Sequence, residues 1–260
     1  MQIEFIIPSY NDIRIVEAIK SIVNFDDSGI CKISIYDGGS DDGIVTSIKR
    51  ELREQDNIIV EHDKGVFDAI NKGINNITLP YIGWLGSDDL ISSNIKSSEV
   101  LADIKKNEYP DLISYITVMT NNKKATRFFI PFGVLLQKIG FHLPHYSTFV
   151  KSSFVGKIRF NIKFHPAADI NFFLKLLEKS PHFIGINRVF LLMEEGGVSN
   201  SSFKDILKTN IQIGKNLQNQ LNPFHIVVFL INKVTYKVFS KILMIVYNKI
   251  KTNFLSGHTK

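Results

Sequence analysis

The 260-residue sequence predicts an α/β fold, with a mostly parallel central sheet flanked by helices and followed by an amphipathic helical tail. The sheet is predicted by short apolar runs that alternate with helix-like segments along residues 3–85, a pattern typical of parallel strands joined by helices. The tail is predicted by its charge, because residues 206–260 contain 8 Lys but no Asp or Glu. With 44% hydrophobic residues, including 20 Phe, the chain can also bury a sizeable core.

Four strands are predicted in the N-terminal half, because each apolar run is short and is followed by a turn or helix signal. They lie at residues 3–8, 33–36, 58–61 and 81–85. Amphipathic segments between them predict three helices, of which the first would be capped by Asn11 or Asp12. Ligands of parallel sheets bind beyond the carboxyl ends of the strands. The polar clusters that follow the four strands are therefore expected to meet at one edge: Ser9–Asn11, Asp37–Asp42, His62–Lys64 and Ser87–Asp89.

Shorter strand-like runs continue the predicted sheet at 112–118, 128–130 and 148–150, and a helix is predicted at 168–179. Two further runs, 183–186 and 189–193, are expected to form a closing hairpin. Amphipathic helices are predicted at 203–221 and 223–255. The chain is accordingly divided into a body, residues 1–205, and a tail, residues 206–260.

The net charge of +6 belongs to the tail, because the body carries 23 basic and 25 acidic side chains. A basic nucleic-acid face is thus not expected on the body. The single cysteine, Cys31, excludes a disulfide framework and a cysteine-based zinc site. The N-terminus carries Glu4 and no basic region, and no apolar run has the length of a spanning helix. A cytoplasmic protein is expected.

Two acidic clusters stand out in the body, and each allows two interpretations. Asp88 and Asp89 directly follow a strand, where adjacent carboxylates suit either a divalent cation or a helix cap. Asp37 opens a glycine-rich turn that ends at Gly43. Such a turn either lets the backbone approach a nucleotide or is an ordinary tight turn followed by a helix cap.

The ordered set of motifs resembles family 2 of the GT-A glycosyltransferases. The similarity spans residues 1–200 and rests on motifs in the family's order: Ile6-Ile7-Pro8-Ser9-Tyr10-Asn11, Tyr36–Gly43, Asp63–Gly73, Leu85-Gly86-Ser87-Asp88-Asp89, His145–Phe149, Ala167–Phe173 and Gly196-Gly197-Val198-Ser199. The resemblance implies a GT-A catalytic domain over residues 1–205. This chain has Ser87 where the family's metal motif often has Asp.

The resemblance also implies a role for each motif. The nucleotide of a UDP-sugar would contact Pro8, Ser9, Tyr10, Asp37, Gly38, Lys64, Asp68 and Asp88. Asp89, together with Asp88, would bind Mn²⁺ or Mg²⁺. Asp169 matches the catalytic base, which removes the acceptor's proton during an inverting displacement; a helix cap is the alternative for this residue. His145 and His165 are candidates for the acceptor or diphosphate side; for His165, an ordinary surface histidine is the alternative.

The tail predicts an interfacial membrane helix. Lys233, Lys237 and Lys241 lie on one helical stripe, and the opposite face is broadly apolar, which suits an anionic membrane surface along 223–255. Packing on the body or on a second subunit, forming an oligomer, is the alternative.

The expected function follows from the resemblance and the tail together. The enzyme would transfer a hexose, glucose or galactose through a β-1,3 link, from a UDP-sugar to a GlcNAc- or GalNAc-diphosphate-undecaprenol. This reaction belongs to O-antigen (lipopolysaccharide) or capsule repeat-unit assembly at the inner face of the cytoplasmic membrane. A sugar-phosphate nucleotidyltransferase is an alternative, although the glycine-rich basic loop that it needs is missing after the first strand. A non-catalytic, membrane-tethered sugar-nucleotide binding protein is the other.

Overall fold

The structure is a computed structural model that describes residues 2–121, 124–131, 143–164 and 167–194, with scattered positions of the tail between 211 and 242. The strands are β1 (Ile3–Ser9), β2 (Cys31–Asp37), β3 (Asn57–Val60), β4 (Tyr81–Trp84), β5 (Leu90–Ile91), β6 (Leu112–Asn121), β7 (Lys124–Phe129), β8 (Thr148–Lys151) and β9 (Phe183–Glu194). The helices are α1 (Ile15–Phe25), α2 (Asp42–Glu51), α3 (Val66–Asn75), α4 (Ser97–Lys106), α5 (Ser152–Val155) and α6 (Ala168–Glu178), with 3₁₀ turns at His145–Ser147 and Ile162–Phe164.

The described strands form one nine-stranded sheet with the order β3-β2-β1-β4-β8-β6-β9-β5, and β7 pairs with β6. The first four strands are parallel to one another, as the sequence predicts. All seven residues of β1 are buried because helices cover both faces of a parallel sheet. The register aligns Ser9 with Asp37, so β1 and β2 end side by side.

The second half of the sheet is mixed. β8 joins the two halves through antiparallel pairs with β4 and β6, and β9 lies parallel to β6. The predicted hairpin at 183–193 is wrong, because β9 is one continuous strand of 12 residues. Both halves of β9 pair with β6, and register shifts around Ile116 accommodate the irregular stretch between the two apolar runs.

Two aromatic clusters cover opposite faces of the sheet. One packs Phe5 against Phe149 and Phe190, and it is continued by apolar residues of α1. The other surrounds Trp84, whose ring meets those of Phe160, Phe172 and Phe173 at centroid distances of 5.9, 5.8 and 5.9 Å. Trp84 is therefore a core residue, with an exposed fraction of 1%. Each large buried side chain contributes about 1.5–3 kcal/mol to folding.

A buried ion cluster anchors the far end of β2. Arg53 contacts the carboxylates of Asp26 and Asp56, both at 2.8 Å, and both carboxylate side chains have an exposed fraction of 0%. Asp26 in turn accepts the backbone N–H of Ile30. Removing one partner from such a cluster leaves uncompensated buried charge, which costs about 3–5 kcal/mol.

Candidate active site

A cleft of about 570 Å³ opens at the carboxyl ends of β1, β2 and β4, where the sequence predicts the site. It is lined by Pro8, Ser9, Tyr10, Gly38, His62, Asp63, Gly65, Val66, Gly86, Ser87, Asp88 and Tyr146. Five of the predicted nucleotide-binding residues are therefore brought together here: Pro8, Ser9, Tyr10, Gly38 and Asp88.

Backbone and side-chain hydrogen bonds tie the loops after β1 and β2 together. Gly38 N–H donates to the carbonyl of Ser9 at 2.8 Å, and Asn11 N–H donates to Ser40 Oγ at 2.7 Å. A Cβ at position 38 would lie 2.8 Å from Asp63 Oδ2, so any larger residue there would displace this carboxylate. The expected close approach of backbone to this cleft is therefore built into the turn.

Asp37 is placed differently from the other predicted residues. Its carboxylate is buried and accepts hydrogen bonds from Gly39 N–H at 3.0 Å, Ser40 N–H at 2.7 Å and Ser40 Oγ at 2.6 Å. Asp37 does not line the cleft; its carboxylate instead stabilises the turn that contains Gly39 and Ser40. The tight-turn interpretation therefore describes this carboxylate, whereas the neighbouring Gly38 faces the cleft.

The segment after β3 also divides its residues between cleft and scaffold. Asp63 lines the cleft and accepts Gly65 N–H at 2.7 Å. Asp68 lies in the first turn of α3 and accepts Lys64 N–H at 3.0 Å, so the predicted pair Lys64 and Asp68 shapes the loop instead of lining the cleft. His62 also lines the cleft. No role is predicted for it from the sequence, although its position just after β3 places it at the edge of the sheet where the site is expected.

The acid pair after β4 is an electrostatically strained site. Asp89 has an exposed fraction of 3%, and burial together with the charge of Asp88 raises its pKa to about 7. Arg14 Nη1 lies 3.3 Å from Asp88 Oδ2, and its Nη2 lies 2.7 Å from Asp12 Oδ2. Sequence reasoning missed Arg14, which follows β1 by only a few residues. The helix-cap alternative for this pair is wrong, because the next element is the two-residue strand β5.

The hydroxyl of Ser87 directly precedes this acid pair in the sequence. Ser87 occupies the position where the family often has a carboxylate, and its Oγ donates to Asp12 Oδ2 at 2.9 Å. Hydrogen bonds from Arg14 lower the pKa of Asp12, with further help from Ser87, although burial opposes them. Asp12 therefore stays ionised as a fixed anion beside Ser87. The predicted cap role of Asn11 or Asp12 is wrong, because α1 begins after Arg14 and has no side-chain cap.

The donor set fits a divalent cation only in part. Among the described residues, no group of three or more His, Cys, Asp or Glu side chains could hold a metal ion. Asp88 lines the cleft and Asp89 is buried directly behind it, where burial together with the charge of Asp88 raises the pKa of Asp89. Hard cations bound by one or two carboxylates are commonly completed by substrate phosphates. Asp88 and Asp89 would thus hold the ion together with a bound diphosphate.

A second cavity of about 130 Å³ adjoins the cleft, and Tyr146 lines both. The other residues around it are Thr117, Phe129, Leu143, Pro144, His145, Asp169 and Met193. The structure therefore brings the predicted His145 and Asp169 together, with His145 Nδ1 3.6 Å from Asp169 Oδ2. Asp169 lies in the first turn of α6 but is not its cap, which is Ala167. His165 and the segment 196–199 lie outside the described residues.

One segment of the tail, residues 226–230, packs on the body. Ile226, Phe229 and Leu230 join a small apolar cluster with Ala167 and Leu174 of the α6 region. The body-packing alternative thus applies to this segment. Other apolar side chains of the same tail are exposed: Phe224, Val227, Ile231, Phe239 and Ile242. Within the described part of the chain, no helix combines the length and apolarity needed to traverse a bilayer.

A GT-A-like sheet with a strand-end cleft, an acid pair and a neighbouring carboxylate cavity defines a glycosyltransferase. The chain belongs to glycosyl transferase family 2, whose model matches residues 4–191. The family and fold predicted from the sequence are confirmed.

Individual relatives agree with this assignment. A PGL/p-HBAD biosynthesis glycosyltransferase of Mycobacterium tuberculosis is 26% identical over 216 residues, which cover 78% of this chain and 81% of the relative. The S. aureus TarS 1–349 structure in complex with UDP-GlcNAc has a TM-score of 0.65 at 16% identity, covering 90% of this chain and 72% of that chain. The structure of the Pyrobaculum calidifontis mannosyltransferase PcManGT in complex with GDP-Man and Mn²⁺ has a TM-score of 0.60 at 13% identity. The match covers 100% of this chain and 76% of that chain.

Proposed function

We propose that this glycosyltransferase is an inverting, metal-dependent enzyme that transfers a hexose from a UDP-sugar to GlcNAc- or GalNAc-diphosphate-undecaprenol. The observation that carries the proposal is the pair of adjoining cavities that share Tyr146. The larger cavity has the volume and the glycine-lined mouth of a nucleotide-sugar site. The smaller one places a single carboxylate, Asp169, beside it. Glucose or galactose in a β-1,3 link remains the specific expectation.

The donor assignment is supported by the cleft and by the solved structures. TarS is known with UDP and with UDP-GlcNAc, and PcManGT with GDP-Man, so nucleotide-sugars occupy this fold. In the present chain, Pro8, Ser9, Tyr10 and Gly38 line the part of the cleft at the ends of β1 and β2. A divalent cation bound by Asp88 and Asp89 would supply positive charge to the leaving diphosphate.

The inverting mechanism is supported by the surroundings of Asp169. One general base suffices when the acceptor hydroxyl attacks the anomeric carbon from the face opposite the nucleotide. The hydroxyl proton passes to the Asp169 carboxylate, the new C–O bond forms, and the bond to the diphosphate oxygen breaks. Placing both substrates in adjoining cavities supplies the orientation that the displacement needs.

The lipid-linked acceptor and the peripheral membrane location are supported by the tail. Its described part exposes six large apolar side chains, Ile211 among them, and the only charged side chains in its sequence are those of Lys. Apolar side chains together with Lys suit an anionic bilayer surface. An enzyme that acts on a polyprenyl-diphosphate sugar works at the inner face of the cytoplasmic membrane, in O-antigen or capsule assembly.

A donor and acceptor screen tests the proposal. Purified protein is mixed with UDP-glucose, UDP-galactose, UDP-GlcNAc or GDP-mannose and synthetic GlcNAc- or GalNAc-diphosphate-lipid, with Mn²⁺ or with EDTA. We expect transfer from a UDP-hexose, a β-linked product by NMR, loss of activity in EDTA, and a fall of at least a hundredfold in Asp169→Asn. Exposed Glu54→Gln serves as the matched control. Transfer that survives EDTA would exclude the metal role, and full activity of Asp169→Asn would exclude the base.

A further inference from the structure

The two carboxylate oxygens of Asp169 lie in different surroundings. Oδ2 faces Nδ1 of His145 at 3.6 Å. Oδ1 is buried and has no hydrogen-bond partner within the described part of the chain. A buried oxygen without a partner is costly, and such exceptions concentrate at functional sites. Because the residue lines the smaller cavity, a hydroxyl bound there would give Oδ1 its missing partner.

His145 is fixed in place by groups that also fix Asp169. The indole Nε1–H of Trp84 donates to the main-chain carbonyl of His145, and the His145 ring packs on that of Tyr146 with centroids 4.1 Å apart. The Trp84 ring also packs against Phe172 and Phe173 of α6, the helix that carries Asp169. One buried aromatic residue therefore sets the position of both partners.

The protonation of His145 suits a donor to the carboxylate. Burial lowers its pKa, and the charge of Asp169 only partly opposes this effect. The imidazole is then neutral at pH 7, with one nitrogen carrying hydrogen. A neutral donor orients a carboxylate without the full loss of basicity that an adjacent cation would cause.

We infer that His145 is a positioning residue for Asp169, donating Nδ1–H to Oδ2 so that Oδ1 faces the acceptor hydroxyl. The present 3.6 Å separation is longer than a hydrogen bond, and catalytic hydrogen bonds commonly shorten when substrates bind. The inference rests on the proposed function, because it gives Asp169 the role of base. It differs from a direct contact between His145 and the diphosphate, since His145 then acts only through Asp169.

Three substitutions separate these roles. His145→Asn keeps an N–H close to the Nδ1 position, His145→Gln moves it to the Nε2 position, and His145→Leu removes it. We expect His145→Leu to lower kcat about a hundredfold, with the KM for the UDP-sugar changed less than twofold. The kcat of His145→Asn should be at least tenfold higher than that of His145→Leu, whereas the kcat of His145→Gln should not exceed that of His145→Leu by this factor. Equal rates for the three variants, or a loss confined to donor KM, would overturn the inference.

A double-mutant cycle tests whether the effect passes through the base. If His145 acts only through Asp169, the variant His145→Leu/Asp169→Asn is no slower than Asp169→Asn alone. Multiplicative losses would assign His145 an independent role and contradict the inference. Thermal unfolding of every variant identifies any that lose activity by misfolding, and the Asn and Gln substitutions keep the comparison valid if the Leu variant unfolds.

A second readout does not depend on any acceptor. In ¹⁵N-histidine NMR spectra of the wild-type protein, we expect the His145 ring to be the Nδ1–H tautomer, the signal being assigned by its absence in His145→Asn. An Nε2–H tautomer would overturn the inference even if transfer is observed. Conversely, an Nδ1–H tautomer in a protein that transfers no sugar would contradict the proposed function and leave the positioning contact intact.

Discussion

The substitution Asp89→Asn should stabilise the protein when no metal is bound. In the folded protein the pKa of Asp89 is about 7, against an ordinary value of 3.8, because burial and Asp88 disfavour its charge. Since the folded state binds the proton more tightly, the contribution of this residue to stability falls as pH rises from about 4 to about 7. Three pKa units at 1.36 kcal/mol each give a cost of about 4 kcal/mol above pH 7. Asparagine has nearly the same shape and no such cost.

Urea unfolding in EDTA at pH 4.5 and pH 8 measures this effect. We expect Asp89→Asn to exceed the wild type by about 4 kcal/mol at pH 8 and by less than about 1 kcal/mol at pH 4.5. The control substitution Glu54→Gln, at an exposed position, should leave the free energy of unfolding equal to that of the wild type at both pH values. Adding Mn²⁺ at a hundred times its Kd should raise only the wild type, by about 2.7 kcal/mol. A difference that does not change with pH, or a less stable variant at pH 8, would refute the assignment of strain to this carboxylate.

Three further substitutions test other contacts. Arg14→Ala should tighten Mn²⁺ binding several-fold by calorimetry, because the guanidinium that competes for Asp88 is removed; unchanged or weaker binding would contradict this. Arg53→Ala should lower the free energy of unfolding by about 3–5 kcal/mol in urea, since it strands two buried carboxylates; a loss below about 1 kcal/mol would show that the cluster is solvated. Gly38→Ala should weaken UDP binding by calorimetry, because the new methyl group displaces Asp63 in the cleft, and equal affinity would show that Asp63 moves freely.

The sequence predicted the first four strands and the cleft well because both depend on local signals. Buried parallel strands are short apolar runs, and ligand residues follow their carboxyl ends. Ser9 and Asp37, which are paired at the carboxyl ends of β1 and β2, illustrate the second of these rules. Even so, the direction of a side chain is not a local property. Asp37 turns into its own loop, whereas Asp63 faces the cleft.

The contacts that sequence reasoning missed join distant segments. Arg14 meets Asp88, and His145 meets Asp169, and no periodicity of one segment reports its partner in another. The predicted hairpin failed for a related reason. Two apolar runs separated by a short polar stretch fit a hairpin or one bulged strand equally well, and only pairing with β6 decides between them.

The packing of the tail on α6 has a mechanical consequence. Ile226 and Phe229 cover Ala167 and Leu174, and Ala167 lies two residues before Asp169. Part of the apolar surface of α6, the helix that carries Asp169, is therefore buried by a segment outside residues 1–205. A fragment cut at residue 205 would lack this cover and would expose Leu174 to water. Because Leu174 and Asp169 lie on the same helix, the tail and the candidate base are connected through α6.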